Sequence, residues 1–262
     1  MLDWIFSIPS FVLGFVMVGT FVGLGLAGLS LTRRWVLPWL GDLSLAGEFT
    51  ATVHHGILII YGLAVALIAV AVWENYTDAT KLASGEATAL AALYRDAGGY
   101  PEPVRSQLRA RIRDYTAEII HLAWPLQRSG RVPTEGVELV DGIQDEMFAF
   151  IPTGEAQGIL HAEALRAFNI MVEARRLRLD AVGSALPPAM WAVVLFGGLI
   201  AMFASFLFEV RNLRLQRLVI ALLASVLGLL VFMIVRYDYP FRGTHGISSE
   251  SYELVFDHLM KP

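Results

Sequence analysis

The sequence contains no cysteine. Disulfides, thiolate catalysis, iron–sulfur clusters and cysteine-ligated zinc sites are therefore excluded. The sequence also lacks an excess of positive charge, because 20 Lys and Arg face 24 Asp and Glu and the net charge is −4. Nucleic-acid-binding domains carry a basic patch or stripe, so we expect no nucleic-acid partner.

Strand signals and catalytic motifs are missing as well. No segment sustains the alternation of a β-strand, and no nucleophile elbow, phosphate loop, dinucleotide fingerprint or zinc-protease motif occurs. Glu118 and His121 form one Glu-x-x-His half-motif, but a di-iron bundle needs a second copy and two further glutamates. The sequence therefore predicts an all-α, non-enzymatic protein without catalytic residues, cofactor or metal site.

What the sequence has is apolar residues, which make up 56% of the chain, against about 45–50% in soluble proteins. They are concentrated in four blocks, each near the roughly 20 residues that cross a bilayer as a helix. The predicted spans are Ile8–Leu31, Val53–Trp73, Ala189–Phe208 and Leu218–Val235. The first block exceeds the 7–15 apolar residues typical of a signal peptide, so we expect it to be retained in a multi-pass protein whose partner is the lipid bilayer.

The spans divide the chain into four segments. These are a first transmembrane pair (1–73), a polar helical insert (74–187), a second transmembrane pair (188–235) and a short helical tail (236–262). Within the insert, amphipathic helices are predicted over 86–97, from Pro103 to a break at Trp124-Pro125, over 134–150 and over 155–182. Ser248 or Ser249 is expected to cap a last helix in the tail.

Helical spacing also predicts which faces are apolar. One insert stripe comprises Val104, Leu108, Ile112, Tyr115 and Ile119, and a second comprises Ile159, Ala162, Leu165, Phe168 and Val172. In the first span, Gly19, Gly23 and Ala27 form a ridge of small residues. Such a ridge allows close approach of another helix in lipid, or it is merely a face that tolerates small residues.

A set of short motifs runs through the chain from the second span onward. The motif residues are Trp73 and Glu74, Tyr94 and Arg95, Trp124 and Pro125, and Asp238, Pro240, Phe241 and Gly243. In combination and order these motifs resemble the bacterial bestrophin-like membrane family. Two departures are Ala123, where the family has an acidic residue, and Tyr237 and Tyr239, where Leu and Arg usually flank the Asp.

The resemblance implies kinship with oligomeric anion channels. It implies a homo-oligomer in the bacterial inner membrane, with a pore for small anions lined by the second spans and with the insert in the cytoplasm. The positive-inside rule points the other way, because the short loops carry the arginines at positions 33, 34, 211, 214 and 217. The alternative function is a non-conducting scaffold or partner-binding subunit whose insert recognises the partner.

The second span offers candidate pore-lining residues. Tyr61, Val65, Ile68 and Val72 form one helical stripe, and an apolar constriction can gate by dewetting. The same stripe would be expected if this helix simply packed against the first or fourth span. Carboxylates at Glu74, Asp78 and Asp238 would favour cations if they formed a ring; otherwise they cap helices or pair with Arg236 or Arg242.

Overall fold

The structure, a computed structural model, describes residues 8–40, 47–207, 212–243 and 245–261. Phe208 and Arg211 of the predicted segments lie outside the described residues. The described part consists of helices and turns with no strand, which confirms the predicted all-α class. The helices are α1 (Ser10–Leu31), α2 (Leu37–Leu40), α3 (Gly47–Ala97), α4 (Val104–Glu118), α5 (Trp124–Arg128), α6 (Val137–Ala149), α7 (Glu155–Val182), α8 (Pro188–Phe206), α9 (Leu213–Tyr237) and α10 (Glu250–His258).

Four of the helical segments are long and apolar enough to cross a membrane. They are Ser10–Leu40, Ala51–Ala97, Pro188–Phe206 and Leu213–Tyr237. Large apolar side chains on these segments are exposed, among them Phe15 at 79% and Ile60 at 72%. Lipid rather than water must cover such surfaces, so the prediction of an integral multi-pass membrane protein is confirmed.

Helix α3 is the main difference from the predicted elements. A span and a separate helix over 86–97 were expected, but α3 is one helix of 51 residues. Residues 74–85 contain no proline and include Ala79 and Ala83, so nothing in them stops a helix. The charges after Trp73 mark the end of the apolar segment and not the end of the helix.

The break at Trp124-Pro125 is confirmed. A π-helical turn, Ile119–Ala123, separates α4 from α5. Pro125 has no N–H, and its ring would clash with the carbonyl of His121 in a regular helix. The wider turn accommodates both constraints.

The predicted stripe on α4 is correct, whereas the stripe on α7 is only partly so. Leu108, Ile112, Tyr115 and Ile119 are all buried. The face that α7 buries comprises Ala164, Phe168, Met171, Arg178 and Val182. Ile159, Ala162 and Val172 of the predicted stripe are exposed, because α7 contacts the insert core through a neighbouring face.

The chain forms two compact units. The membrane unit comprises Met1–Glu74 and Ala185–Asp238, and the insert unit comprises Asn75–Ser184 and Tyr239–Pro262. The tail from Tyr239 onward therefore belongs to the same unit as the insert. Each unit has its own cluster of buried apolar side chains.

In the membrane unit, α1 packs along α9. A Cβ on Gly228 of α9 would lie 3.0 Å from the Cα of Val18 and 3.3 Å from the Cβ of Phe21. Around Gly19 and Gly23, by contrast, no described atom lies within 4 Å of the Cβ position. The predicted ridge is thus not the one that α1 uses to approach α9 within the chain.

We expect Gly228→Val to destabilise the membrane unit by about 1–3 kcal/mol, the usual cost of overpacking. The reason is that α1 would have to move away from α9. The measurement is the thermal midpoint of the detergent-solubilised protein, with Gly19→Val as the matched control in open space. Equal midpoints for both variants would contradict the close approach at Gly228.

Candidate functional site

The first candidate site is the face of α3 that carries the predicted pore-lining residues. Tyr61, Val65, Ile68 and Val72 are each exposed by 9% or less. The hydroxyl of Tyr61 donates a hydrogen bond to the carbonyl of Val194 in α8 at 2.9 Å, and its ring lies over Gly197 and Gly198 of the same helix.

These contacts favour the packing interpretation of the stripe. A side chain covered by its own chain borders a water-filled path only if the spans separate. The principal partner of Tyr61 is moreover the third span, and not the first or fourth span as the packing interpretation expected.

The opposite face of α3 is uncovered. Leu63 and Leu67 are each 62% exposed, and Val70 is 53% exposed. At about 100° per residue, these three side chains and the exposed Glu74 share one stripe, about half a turn away from the buried stripe. The membrane unit therefore leaves a continuous apolar face of α3, ending in a carboxylate, for lipid or for other copies.

The second candidate site lies within the insert unit and is built around Trp124. Its indole N–H donates to the carbonyl of Ile247 at 3.0 Å. The indole ring meets Phe241 edge-on, with centroids 5.7 Å apart, and Tyr252 at 5.2 Å. Trp124 of the insert is thus the residue against which the tail packs.

A buried ion pair lies beside this indole. Glu86 of α3 and Arg178 of α7 are exposed by 0% and 1%. One carboxylate oxygen of Glu86 accepts from Arg178 Nε and, at 3.0 Å, from the hydroxyl of Tyr252. The other accepts from the hydroxyl of Tyr115 at 2.8 Å. Glu86 therefore receives donors from α4, α7 and α10.

The guanidinium of Arg178 is held by aromatic rings as well as by Glu86. Its Cζ lies 5.7 Å from the ring centroid of Trp124 and 5.9 Å from that of Tyr252. Such cation–π contacts strengthen when the charge is desolvated. We call Glu86, Tyr115, Trp124, Arg178 and Tyr252 the polar cluster.

The electrostatics of the polar cluster follow from its burial. Desolvation, reinforced by the Glu86 carboxylate, raises the pKa of the Tyr115 and Tyr252 hydroxyls well above the usual value. Burial alone would lower the pKa of Arg178, but the charge and hydrogen bonding of Glu86 raise it overall. The cluster therefore holds one carboxylate, one guanidinium and two neutral hydroxyl donors.

Glu118, the acidic residue of the Glu-x-x-His half-motif, lies close to the cluster. A Cβ added to Gly136 would lie 3.0 Å from Oε2 of Glu118 and 3.5 Å from Nη2 of Arg175. Burial raises the pKa of Glu118, and Arg178 and Arg175 partly oppose that effect. His121 of the same half-motif is exposed. No group of three metal-ligating side chains converges in the part of the chain that the structure describes.

The motif residues of the tail shape the turn that returns to the insert. Gly243 has a φ of +77°, a conformation that residues with a Cβ rarely adopt, and its N–H donates to the carbonyl of Arg128 at 3.1 Å. The carbonyl of Pro240 accepts from the N–H of Ile247 at 2.9 Å. Phe241 between them is 1% exposed against Trp124.

The remaining insert motif residues lie at helix ends. Tyr94 is buried near the end of α3, beneath the guanidinium of Arg109, with 5.0 Å from Cζ to the ring centroid. Arg95 is exposed in the last turn of α3, where a positive charge suits the helix dipole. Pro125 is exposed in the first turn of α5.

Three motif residues belong to the membrane unit. Asp238 is 3% exposed at the end of α9, where its carboxylate accepts from the N–H of Leu186 at 2.6 Å and from the indole of Trp191 at 3.2 Å. It thereby ties the start of α8 to the end of α9. Trp73 packs edge-on against Tyr237 at 5.3 Å, and Glu74 is exposed.

Sequence reasoning missed the ion pair, although a signal for it was present. Arg178 falls in register with Ala164, Phe168 and Met171 on α7, and Glu86 falls in register with Ala83, Leu90 and Leu93 on α3. A carboxylate and a guanidinium at core positions of two helices predict a buried pair, because neither charge is tolerated alone.

Four spans and an intervening helical unit define the chain as a multi-pass α-helical membrane protein. The model of the Bestrophin-like domain family matches residues 8–252, nearly the whole chain. The chain therefore belongs to the Bestrophin-like family, as the motif residues indicated. Comparisons with the curated proteins and with the solved structures find no match.

We expect Arg178→Met to destabilise the insert unit by about 3–5 kcal/mol, because Glu86 would then be buried without a counter-ion. Replacing both partners, as in Glu86→Leu with Arg178→Met, should recover much of the loss. The measurement is thermal unfolding of the purified protein followed by circular dichroism.

The matched control for this prediction is the exposed pair of Arg105 with Glu102, in which Arg105 Nε lies 2.8 Å from the carboxylate. Arg105→Met should leave the unfolding midpoint unchanged, because solvent screens that pair. If Arg178→Met were equally mild, the buried pair would not be what holds the polar cluster together.

Tyr252→Phe should cost about 1.5–3 kcal/mol, since it removes only a hydroxyl that donates to a charged acceptor. We also expect faster proteolytic removal of the tail, measured by mass spectrometry after limited digestion. Tyr94→Phe is the control, because the Tyr94 hydroxyl makes no hydrogen bond to any described residue. Unchanged cleavage in Tyr252→Phe would mean that α10 is held by its apolar contacts alone.

Proposed function

We propose that this protein is a non-enzymatic, homo-oligomeric membrane channel for small anions, in which α3 of each copy borders a central path. Membership of the Bestrophin-like family supports a channel. The kinship with anion channels that the resemblance implies supports the choice of ion, and the resemblance to a bacterial membrane family supports a location in the bacterial inner membrane. The observation that carries the proposal is the uncovered face of α3.

The uncovered face fits a helix that meets other copies around an axis. It contains the large apolar residues Leu63, Leu67 and Val70. Gly56, seven residues before Leu63 on the same stripe, adds a position where no described atom lies within 4 Å of the place a Cβ would occupy. Small residues allow close approach of helices in lipid, where apolar burial offers no driving force. A pore bordered by this face is narrow and apolar, and it gates by wetting and dewetting.

The proposed pore face differs from the stripe predicted from sequence. Tyr61, Val65, Ile68 and Val72 serve here to attach α3 to its own chain. The ion path then runs along Leu63, Leu67 and Val70 on the opposite side. The choice between the two faces is directly testable, because the chain has no cysteine that would interfere with thiol labelling.

The channel is tested by reconstituting the purified protein in planar bilayers with chloride or nitrate as the permeant anion. We expect currents that a thiol-specific methanethiosulfonate reagent blocks in Leu63→Cys and leaves unchanged in Ile68→Cys. The reason is that only the first side chain faces the path. Block in Ile68→Cys alone would assign the pore to the sequence-predicted stripe.

A non-conducting scaffold is the second candidate function. It is favoured by exposed apolar side chains on the insert unit: Phe148 is 63% exposed, Ile151 is 80% exposed and Ile159 is 66% exposed. These residues lie at the end of α6, in the following turn and at the start of α7. Such exposure at a soluble surface is typical of partner recognition. Absence of any anion current at all tested voltages and pH values would favour this function over the channel.

A further inference from the structure

Glu74 occupies a distinct position on the uncovered face of α3. It lies one helical turn beyond Val70 and is exposed. Among the described residues, no cation or hydrogen-bond donor partners its carboxylate. The two other carboxylates expected at membrane ends are both engaged. Asp78 lies 2.8 Å from the ammonium of Lys81, and Asp238 accepts two hydrogen bonds.

The stripe that ends at Glu74 contains no compensating positive charge. From Gly47 to Glu74 the sequence has no Lys or Arg, and its titratable residues are Glu48, His54, His55, Tyr61 and Glu74. Of these, Tyr61 faces α8 on the opposite side of the helix. Beyond Glu74 the same face of α3 carries Asp78 and Lys81, which pair with each other at 2.8 Å. The charge that this end of the stripe leaves uncompensated among the described residues is therefore the negative charge of Glu74.

We propose that Glu74 determines charge selectivity, forming with its copies in an oligomer a ring of carboxylates at one end of the ion path. This inference rests on the proposed function, because the ring exists only if the uncovered faces of several α3 helices surround one axis. Rings of Asp or Glu favour cations in channels, whereas basic rings favour anions. Low-dielectric walls concentrate the field of such a ring along the path. Glu74 thus lowers the permeability to anions relative to cations below what the apolar wall alone would give.

The test is the reversal potential of the reconstituted protein in a potassium chloride gradient, which reports the ratio of anion to cation permeability. We expect Glu74→Gln to raise this ratio several-fold and Glu74→Lys to raise it further. Glu74→Asp should keep the wild-type ratio. Asp141→Asn on α6 is the matched control, since it also removes one exposed negative charge from each copy.

A second measurement works on protein that is already assembled. In Glu74→Cys, a sulfonate-bearing methanethiosulfonate adds a negative charge at this position, and a trimethylammonium-bearing one adds a positive charge. We expect the first reagent to lower the permeability ratio and the second to raise it. Neither reagent should act on the wild-type chain, which has no thiol.

The outcomes separate this inference from the channel itself. If the protein conducts but its permeability ratio does not change with the charge at position 74, the role of Glu74 is overturned and the proposed channel stands. Loss of current in every Glu74 variant, with the wild type active, would also overturn it, because Glu74 would then be needed for assembly. If the wild-type protein gives no current, both the proposed channel and the selectivity role of Glu74 are wrong.

Discussion

The insert unit depends on the pairing of Glu86 with Arg178. Each charge is fully buried, and each would be strongly destabilising alone. The carboxylate can be satisfied only when α3, α4, α7 and α10 all contribute to its surroundings. The pair thereby converts several amphipathic helices into one specific arrangement. Trp124 adds the aromatic face for Arg178 and the indole N–H that fixes the tail.

The membrane unit follows a different principle, because lipid removes the hydrophobic driving force between helices. Its helices approach closely where glycines permit, as at Gly228 between α1 and α9. They are otherwise linked by a few polar contacts, such as those of Tyr61 and Asp238. The face of α3 that carries Leu63, Leu67 and Val70 stays uncovered in the single chain. A channel and a scaffold would use that surface differently, one to border ions and the other to meet lipid.

Apolar block length and helical spacing were sufficient to predict the four spans, the break at Trp124-Pro125 and the buried stripe from Leu108 to Ile119. The extent of α3 could not be predicted in the same way. Polar residues after Trp73 change the solvent that surrounds a helix without ending it. The stripe on α7 was misplaced because Ile159 and Val172 are apolar yet exposed, while Arg178 is charged yet buried. Helical periodicity assigns the buried face from the polarity of the side chains. At these three positions the polarity of the side chain does not match its burial.

Several of the motif residues that indicated the family also make structural contacts that the sequence did not predict. Trp124, Phe241 and Gly243 prove to be parts of one contact between insert and tail. Their separation of more than a hundred positions in sequence concealed that contact. The proposed pore face could not be predicted from the sequence of α3 alone. Its choice depends on which side of α3 the rest of the chain covers, and the pattern of one helix does not show that.

The pairing of α1 with α9 has a consequence for biogenesis. Helix α1 is translated before α2 to α8, yet its main partner is α9, and Glu86 of α3 accepts a hydrogen bond from Tyr252 of α10. Contacts between such distant positions form late because the intervening loop must first be closed. The membrane unit cannot reach its final packing before α9 is translated, nor the insert unit before α10. A nascent chain stalled before α9 would therefore present α1 without its partner to the insertion and quality-control machinery.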